Sequence, residues 1–392
     1  MGVGDHKRET VTRERGEMQM TRSARMEITR IRAGELADPA VDALTAEIVD
    51  FDREINRGLG FGADFDPLPR SVRGKLVRTD AFTTHEIWLG RIDGSLVAKS
   101  GAYLSLRDNT DVADVYTGVL PELRGRGLGS ELLTVMEDHL RADGRARLNS
   151  WCEMPARDLI ADPRRPRLAA ASGTGSLPAE RSEVVFAQRH GYGLQQLERC
   201  SAASILGPGE GEPGADESAA GESDAGDKKP AADGYVIRTW AGATPEERLE
   251  TMAQLHQKMS TDVPGSAELY DEESWDAERV RALDADRESA GGRVQTALAL
   301  MDGSGVGFTE VVSYTGRPHV AYQGATLVRS EHRGHRLGAR LKLANHSALR
   351  RSSQVERVYT WNAVENAWML TINDQAGFEA VGWVGLWKKI LR

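Results

Sequence analysis

Apolar residues fall into two rhythms along this chain, and the same succession of rhythms occurs twice. Short alternating or continuous apolar runs bounded by Gly, Asp or Asn predict strands, and apolar positions three and four apart predict helices. In the first half the pattern predicts a strand over Glu27–Arg32, a helix over Val41–Asn56, and strands over Thr84–Arg91, Ser95–Leu106 and Ala113–Val119. A glycine-rich loop follows, then a helix over Ser130–Ala142 with Leu132, Leu133, Met136 and Leu140 on one face. A strand over Ala146–Glu153, a helix over Glu183–His190 and closing strands complete this half. The second half reads as a strand over Tyr235–Trp240, helices over Pro245–Met259 and Glu273–Leu283, and strands over Arg293–Met301, Val306–Tyr314 and His319–Val328. A loop, a helix over Gly338–Arg350, a strand over Glu356–Asn362, a helix over Glu365–Gln375 and strands through Trp387 follow. Asp93-Gly94 and Asp302-Gly303, each between apolar runs, predict tight hairpins at corresponding places. The two orders match element by element. The expected architecture is therefore two tandem domains of α/β (α+β) class, each a mixed, mostly antiparallel sheet flanked by helices.

Composition sets the boundaries. Residues 207–234 contain Gly, Pro, Ala, Ser, Glu and Asp with no large apolar side chain, which predicts a flexible acidic linker. Residues 1–25 are polar and charged and are expected to be a disordered leader, with no secretory signal. The expected domains are thus 26–206 and 235–392. The stretch from Pro155 to Pro178, rich in Pro, Arg, Ala and Gly, reads as a long loop. A net charge of -9 disfavours nucleic acid or an anionic membrane as partner. No apolar run is long enough to span a bilayer, and two cysteines, Cys152 and Cys200, make no disulfide framework, so a cytoplasmic setting is expected.

The chemistry is concentrated in two loops. After a strand ending before Pro121 the chain reads Arg124-Gly125-Arg126-Gly127-Leu128-Gly129-Ser130, and after the corresponding strand it reads Arg333-Gly334-His335-Arg336-Leu337-Gly338-Ala339. Glycine lets a backbone turn tightly and approach a ligand, and the helix start that follows presents free N–H groups to an anion. Arginines add phosphate-shaped donors. Each loop is a candidate pyrophosphate cradle. A nucleoside-triphosphate P-loop would need a lysine that neither loop has, and a dinucleotide turn would follow the first strand rather than several. His332 and His335 have H-x-x-H spacing without a third ligand, so no metal is expected.

Arg124-x-x-Gly127-x-Gly129 resembles the [QR]-x-x-G-x-[GA] signature of the GNAT superfamily of acyl-coenzyme A-dependent N-acetyltransferases, and Arg333-x-x-Arg336-x-Gly338 matches it except at the middle glycine. Asn366 and Gly377-Phe378 are similar to the family's domain tail, and Gly191-Tyr192 is its remnant in the first half. Two such units in one chain resemble mycothiol synthase-like tandem proteins. The resemblance implies acetyl-CoA as acyl donor, direct attack by an amine in a ternary complex, and a small-molecule amine as acceptor. A non-catalytic acyl-CoA-binding or scaffold protein and a protein N-acetyltransferase are the alternatives, and nothing fixes the oligomeric state. Asn373 and Ala187 stand where the family often has a tyrosine acid. The expected base in the second half is Glu310, with Tyr322 and Gln323 beside it; in the first half the candidates are Asp114, Tyr116 and Glu153. Asn366 is expected among the cofactor contacts, or as a helix cap, after Trp361-Asn362 and Glu365. The fuller tail places the expected turnover in the second half, with an idle bound cofactor in the first.

Overall fold

A computed structural model describes residues 25–60, 62–156, 164–205, 233–262 and 269–391. The leader through residue 24 and linker residues 207–232 lie outside the described residues. The first half contains strands β1 (Glu27–Arg32), β2 (Thr83–Ile92), β3 (Ser95–Ser105), β4 (Val112–Val119), β5 (Arg147–Pro155), β6 (Arg167–Ala169), β7 (Ser176–Pro178) and β8 (Gly193–Ser204). Its helices are α1 (Asp38–Leu59), α2 (Pro69–Val77), α3 (Leu128–Ala142) and α4 (Ser182–Arg189). The second half has β9 (Val236–Ala241), β10 (Gly292–Met301), β11 (Ser304–Tyr314), β12 (Arg317–Val328), β13 (Arg357–Ala363) and β14 (Glu379–Ile390). Its helices are α5 (Leu249–Asp262), α6 (Ala277–Ser289), α7 (Leu337–Ser352) and α8 (Ala367–Gln375).

Local sequence explains most of these elements. Helix α1 starts with a proline in its first turn, buries Val41, Leu44, Ile48 and Phe51 along one face, and stops where Gly60 turns left-handed at φ 78°. Both Asp-Gly hairpins adopt positive φ at both residues, the conformation that matches strand twist. Two features were not legible in the pattern. Helix α2 is short, opens on Pro69 and buries only Val72 and Leu76, too little for a helical period to show. The stretch 155–178 is not all loop: β6 and β7 form a two-stranded ribbon in which Leu168 faces Leu177, and Leu177 is fully buried in the core.

Twelve strands form one sheet in the order β1-β2-β3-β4-β5-β14-β8-β13-β12-β11-β10-β9. Every join is antiparallel except β4 with β5 and β12 with β13, so the sheet is mixed and mostly antiparallel as expected. The order also holds something the repeat did not announce. The last strand of the second half, β14, lies between β5 and β8 of the first, and β8 crosses to pair with β13 of the second. The halves exchange their final strands. Trp387 of β14 is 1% exposed, in one apolar cluster with Leu148, Met154, Leu177 and Leu194 of the first half, and its indole N–H donates to Cys152 Sγ at 3.1 Å. Gly385 permits this approach, because a Cβ there would stand 2.8 Å from Leu177.

Because Trp387 belongs to the first half's core, Trp387→Ala should destabilise the whole molecule by about 3–5 kcal/mol. Urea unfolding followed by tryptophan fluorescence and by circular dichroism should shift as one transition. A first-half transition that stays in place would contradict the shared core.

Candidate functional site

Two parallel joins create two wedges. Strands β4 and β5 pair only from Val112 with Arg147 to Val115 with Ser150, so Tyr116–Val119 diverge from β5. Strands β12 and β13 pair only from Val320 with Arg357 to Tyr322 with Tyr359. Each diverging strand runs into a single 3-10 turn, Pro121–Leu123 or Ser330–His332, and then into its glycine loop. Both loops are pinned alike. Arg124 Nε donates to the Val119 carbonyl and Arg333 Nε to the Val328 carbonyl, each at 3.1 Å. The signature arginine thus ties the loop back to the strand that opens the wedge.

The first loop is an open cradle. Gly125 and Gly127 have φ of 75° and 87°, and a Cβ on either would meet nothing within 4 Å. Helix α3 begins at Leu128 with no side-chain cap on its N-terminus, so Leu128, Gly129 and Ser130 offer their N–H groups outward. Gly129 has a different reason: a Cβ would stand 3.2 Å from Val119 and 3.4 Å from Phe186. Ser130 Oγ lies 2.9 Å from His190 Nε2, which fixes the start of α3 against the end of α4.

The second loop has the same path with more side chains in it. Arg336, in place of the middle glycine, has φ 56°, a left-handed conformation that costs a non-glycine residue about 1 kcal/mol. His335 packs its ring 5.3 Å from Tyr235, and Arg333 forms an ion pair with Asp262 at 2.9 Å. Gly334 is open, while Gly338 faces Ile372 at 3.4 Å. Leu337 is buried and Ala339 is exposed on the first turn of α7. Arg126 is exposed at the mouth of the first cradle.

The predicted catalytic pair of the second half does not meet over an open space. Glu310 is 2% exposed and paired with Arg287, Oε2 to Nη2 at 2.9 Å and Oε1 to Nη1 at 3.2 Å. Burial pushes its pKa up, but Arg287 and then His256 more than offset this and hold the carboxyl below its ordinary value. Tyr322 accepts a hydrogen bond from Arg317 at 2.6 Å and donates to the Asp64 carbonyl. Phe65 of the first half packs against Tyr322, Tyr359 and Trp361, with ring centroids 6.4, 4.7 and 6.1 Å away. Residues 64–66, between α1 and α2, therefore pack into the space in front of the β12–β13 wedge. Asn366 caps α8, its Oδ1 accepting from Met369 N–H at 3.1 Å. Asn373 is fully buried, accepting from Lys342 at 2.5 Å and donating to Asn362 at 2.5 Å.

The first half is different. In front of its wedge lies a cavity of about 440 Å³ lined by Tyr103, Asp114, Asn149, Trp151, Glu198 and Tyr270, among others. Residues 269–276, which lead into α6, cross here as the counterpart of the Phe65 segment, and Leu269 and Tyr270 line the space instead of filling it. Tyr270 donates to Asp114 Oδ1 at 2.6 Å, and Asp271 pairs with Arg147 at 2.6 Å. Of the first-half candidates, Asp114 lines the cavity, whereas Tyr116 turns to His85, 3.4 Å away, and Glu153 is on β5 opposite Val384 of β14. Burial raises the pKa of Asp114, and the bonds from Tyr270 and Asn149 only partly offset this. Glu198 was invisible to sequence reading because it comes from β8, whose place beside β14 is set by the strand exchange. Among the described residues no group of His, Cys, Asp and Glu is arranged to hold a metal, and no helix is long and apolar enough to cross a membrane.

Residues 61–161, which include the first cradle, match the acetyltransferase (GNAT) family. No curated protein sequence matches the chain. Among solved structures, a tandem GNAT protein from the clavulanic acid biosynthesis pathway is similar with a TM-score of 0.67 at 23% identity, over 93% of this chain and 98% of that one. A GCN5-related N-acetyltransferase from Sphaerobacter thermophilus is similar with a TM-score of 0.55 at 16% identity, over 93% and 96%. A GCN5-related glucosamine N-acetyltransferase region of a fungal multi-domain GH3 beta-N-acetylglucosaminidase gives 0.53 at 14% identity, over 93% of this chain and 38% of that one. These structural likenesses are of fold, and they span both halves. Residues 61–161 thus carry a sequence match to the acetyltransferase (GNAT) family, and the chain as a whole has a fold similar to that of a tandem GNAT protein.

Proposed function

We propose that the first half is an acetyl-CoA-dependent N-acetyltransferase for a small-molecule amine and that the second half is its structural partner. The observation that carries this reading is the contrast at the two wedges: a lined cavity at β4–β5, and the Phe65 segment packed into β12–β13. Acetyl-CoA suits the first cradle, since Gly125 and Gly127 leave room that any Cβ would take and the start of α3 is uncapped. The N–H groups of Leu128, Gly129 and Ser130 and the guanidinium of Arg126 would hold its pyrophosphate, and the wedge would admit the pantetheine arm. When bound, it supplies the acetyl thioester.

The chain's own part is to hold and deprotonate the acceptor. An amine attacks only as the free base, so its proton must move to a nearby group. Asp114 stands two residues before the wedge opens at Tyr116, and its Oδ2 takes no hydrogen bond from the described residues. Its raised pKa makes it a stronger base than an exposed aspartate. With Ala187 in the tail of α4, no tyrosine from that position hands a proton to a leaving sulfur, and solvent serves instead.

Three outcomes follow. Acetyl-CoA at a hundredfold excess over Kd should stabilise the protein by roughly 2.7 kcal/mol. In a thermal-shift assay Gly127→Glu should remove that gain and Gly127→Asn should keep most of it; both carry the same left-handed backbone, so the difference is charge. A loss equal in both variants would mean strain, not a cradle. Asp114→Asn should lower kcat by about 10²–10⁴. The wild-type rate should fall as pH drops through the raised Asp114 pKa, and an acid limb that survives in Asp114→Asn would assign the base elsewhere. Glu310→Gln should destabilise by about 3 kcal/mol, because it strands Arg287, while acetyl transfer persists. The pair stabilises above the ordinary carboxylate range and is lost as pH falls through the lowered Glu310 pKa, so the variant's unfolding should lack that acid dependence. Loss of turnover in a folded Glu310→Gln protein would return catalysis to the second half.

A further inference from the structure

We propose that the first-half cavity takes an organic dication, an amine acceptor carrying a second ammonium and no carboxylate. Naming this molecule an acceptor rests on the transferase reading above; the cation site itself does not. Two carboxylates line the space, Asp114 from β4 and Glu198 from β8, and no lysine or arginine lines it with them. Neither has an ion-pair partner among the described residues. Behind Glu198, Gln196 donates to Glu365 Oε1 at 2.5 Å, while Glu365 Oε2 is buried with no hydrogen bond.

A separate observation points to a donor ligand. Asn149 lines the cavity and is 5% exposed. Its Nδ2 donates to Asp114 Oδ1 at 3.3 Å and to the Leu269 carbonyl at 3.5 Å. Both partners are acceptors, so the amide cannot be turned round, and its Oδ1 is left buried without a partner. A buried acceptor in that state is destabilising unless a donor fills it. An ammonium N–H is such a donor, and it neutralises Glu198 at the same time. Burial and then Glu365 raise the pKa of Glu198, the state of a carboxylate without its counter-ion. The aromatic rings of Tyr103, Trp151 and Tyr270 complete the lining, and Trp151 is 37% exposed. Ring faces attract an ammonium and do nothing for a carboxylate.

Position separates the two charges. Asp114 is at the wedge, where the reacting amine must be. Glu198 is three strands away in the order β4-β5-β14-β8, roughly 14 Å across the sheet, and four residues farther along it by register, so roughly 19 Å separates the backbones and both side chains reach inward to line the cavity. The second ammonium therefore sits a short chain's length from the first. A carboxylate there would face Glu198 and Glu365.

Three amines of one length test this on the full chain: putrescine, n-butylamine and γ-aminobutyrate, with binding read by tryptophan fluorescence and acetyl transfer read in parallel. Putrescine should bind about tenfold tighter than butylamine, the scale of one hydrogen bond to a charged group, and γ-aminobutyrate more weakly than both. Glu198→Gln should bring putrescine down to the level of butylamine, and Glu365→Gln should reduce the preference in part. The preference should also shrink in wild type as pH falls through the raised carboxylate pKa values, a readout that needs no variant to fold. Butylamine binding as tightly as putrescine, or γ-aminobutyrate binding more tightly than butylamine, overturns the dication site. A clear putrescine preference with no transfer to any amine would keep the site and sink the transferase reading, while equal affinities with turnover would do the reverse.

Discussion

The antiparallel join of β8 to β14 is the contact on which the rest of this molecule depends. Each of these strands would otherwise end a half-sheet with a row of unpaired backbone donors and acceptors. Since each comes from the other half's sequence, their pairing closes both sheets at once and makes them one ladder. It also builds the cavity. Glu198 and Gln196 arrive on β8, and Leu386 and Trp387 on β14, beside Asn149 and Trp151 of β5. The site of the first half is thus assembled from both ends of the chain.

Around this shared seam the two halves have diverged. Counting from Arg124 and from Arg333, Leu133 corresponds to Lys342, Met136 to Asn345, and Glu137 to His346. Helix α3 buries an apolar face, whereas α7 buries Lys342 and Asn345 in the equivalent place. Lys342 donates to Asn373 and lies over the Phe378 ring at 5.9 Å, and burial brings its pKa down to about 8. His346, beside it, is lowered to about 4 by burial and by Lys342. Those groups put polar side chains where the first half has Leu133 and Met136, while Glu137, the counterpart of His346, is buried between Tyr192 and Lys389. Arg336 at a left-handed position and Phe65 in the second wedge belong to the same divergence.

The repeat, the hairpins and both glycine loops were legible because they depend on residues close in sequence. Asp93-Gly94 and Gly127 have their conformation written locally, in residues that tolerate positive φ. Asp114 was legible as a candidate because it lies on β4, the strand that leads into the loop. The ion pair of Glu310 was not legible, because strand position says nothing about what lies opposite. Its partner Arg287 comes from helix α6, and no periodicity relates the two. Glu198, Asn149 and Tyr270 meet only through the strand exchange and the crossing segment, contacts between residues far apart in the chain. The ribbon of β6 and β7 escaped notice because proline and arginine dominate its composition, while its one large buried residue, Leu177, gives no period.

The exchanged strand also sets a schedule for biosynthesis. By the time β8 has left the ribosome, all the other sequence of the first half has been made, yet its sheet lacks the strand that belongs between β5 and β8. That strand begins at Glu379, so at ordinary elongation rates the gap remains open for about 10–35 s. During that time β5 and β8 present bare edges to whatever else is nearby. A premature stop anywhere beyond β8 would leave them so permanently, which makes the last few residues of the chain a checkpoint on the first half as much as on the second.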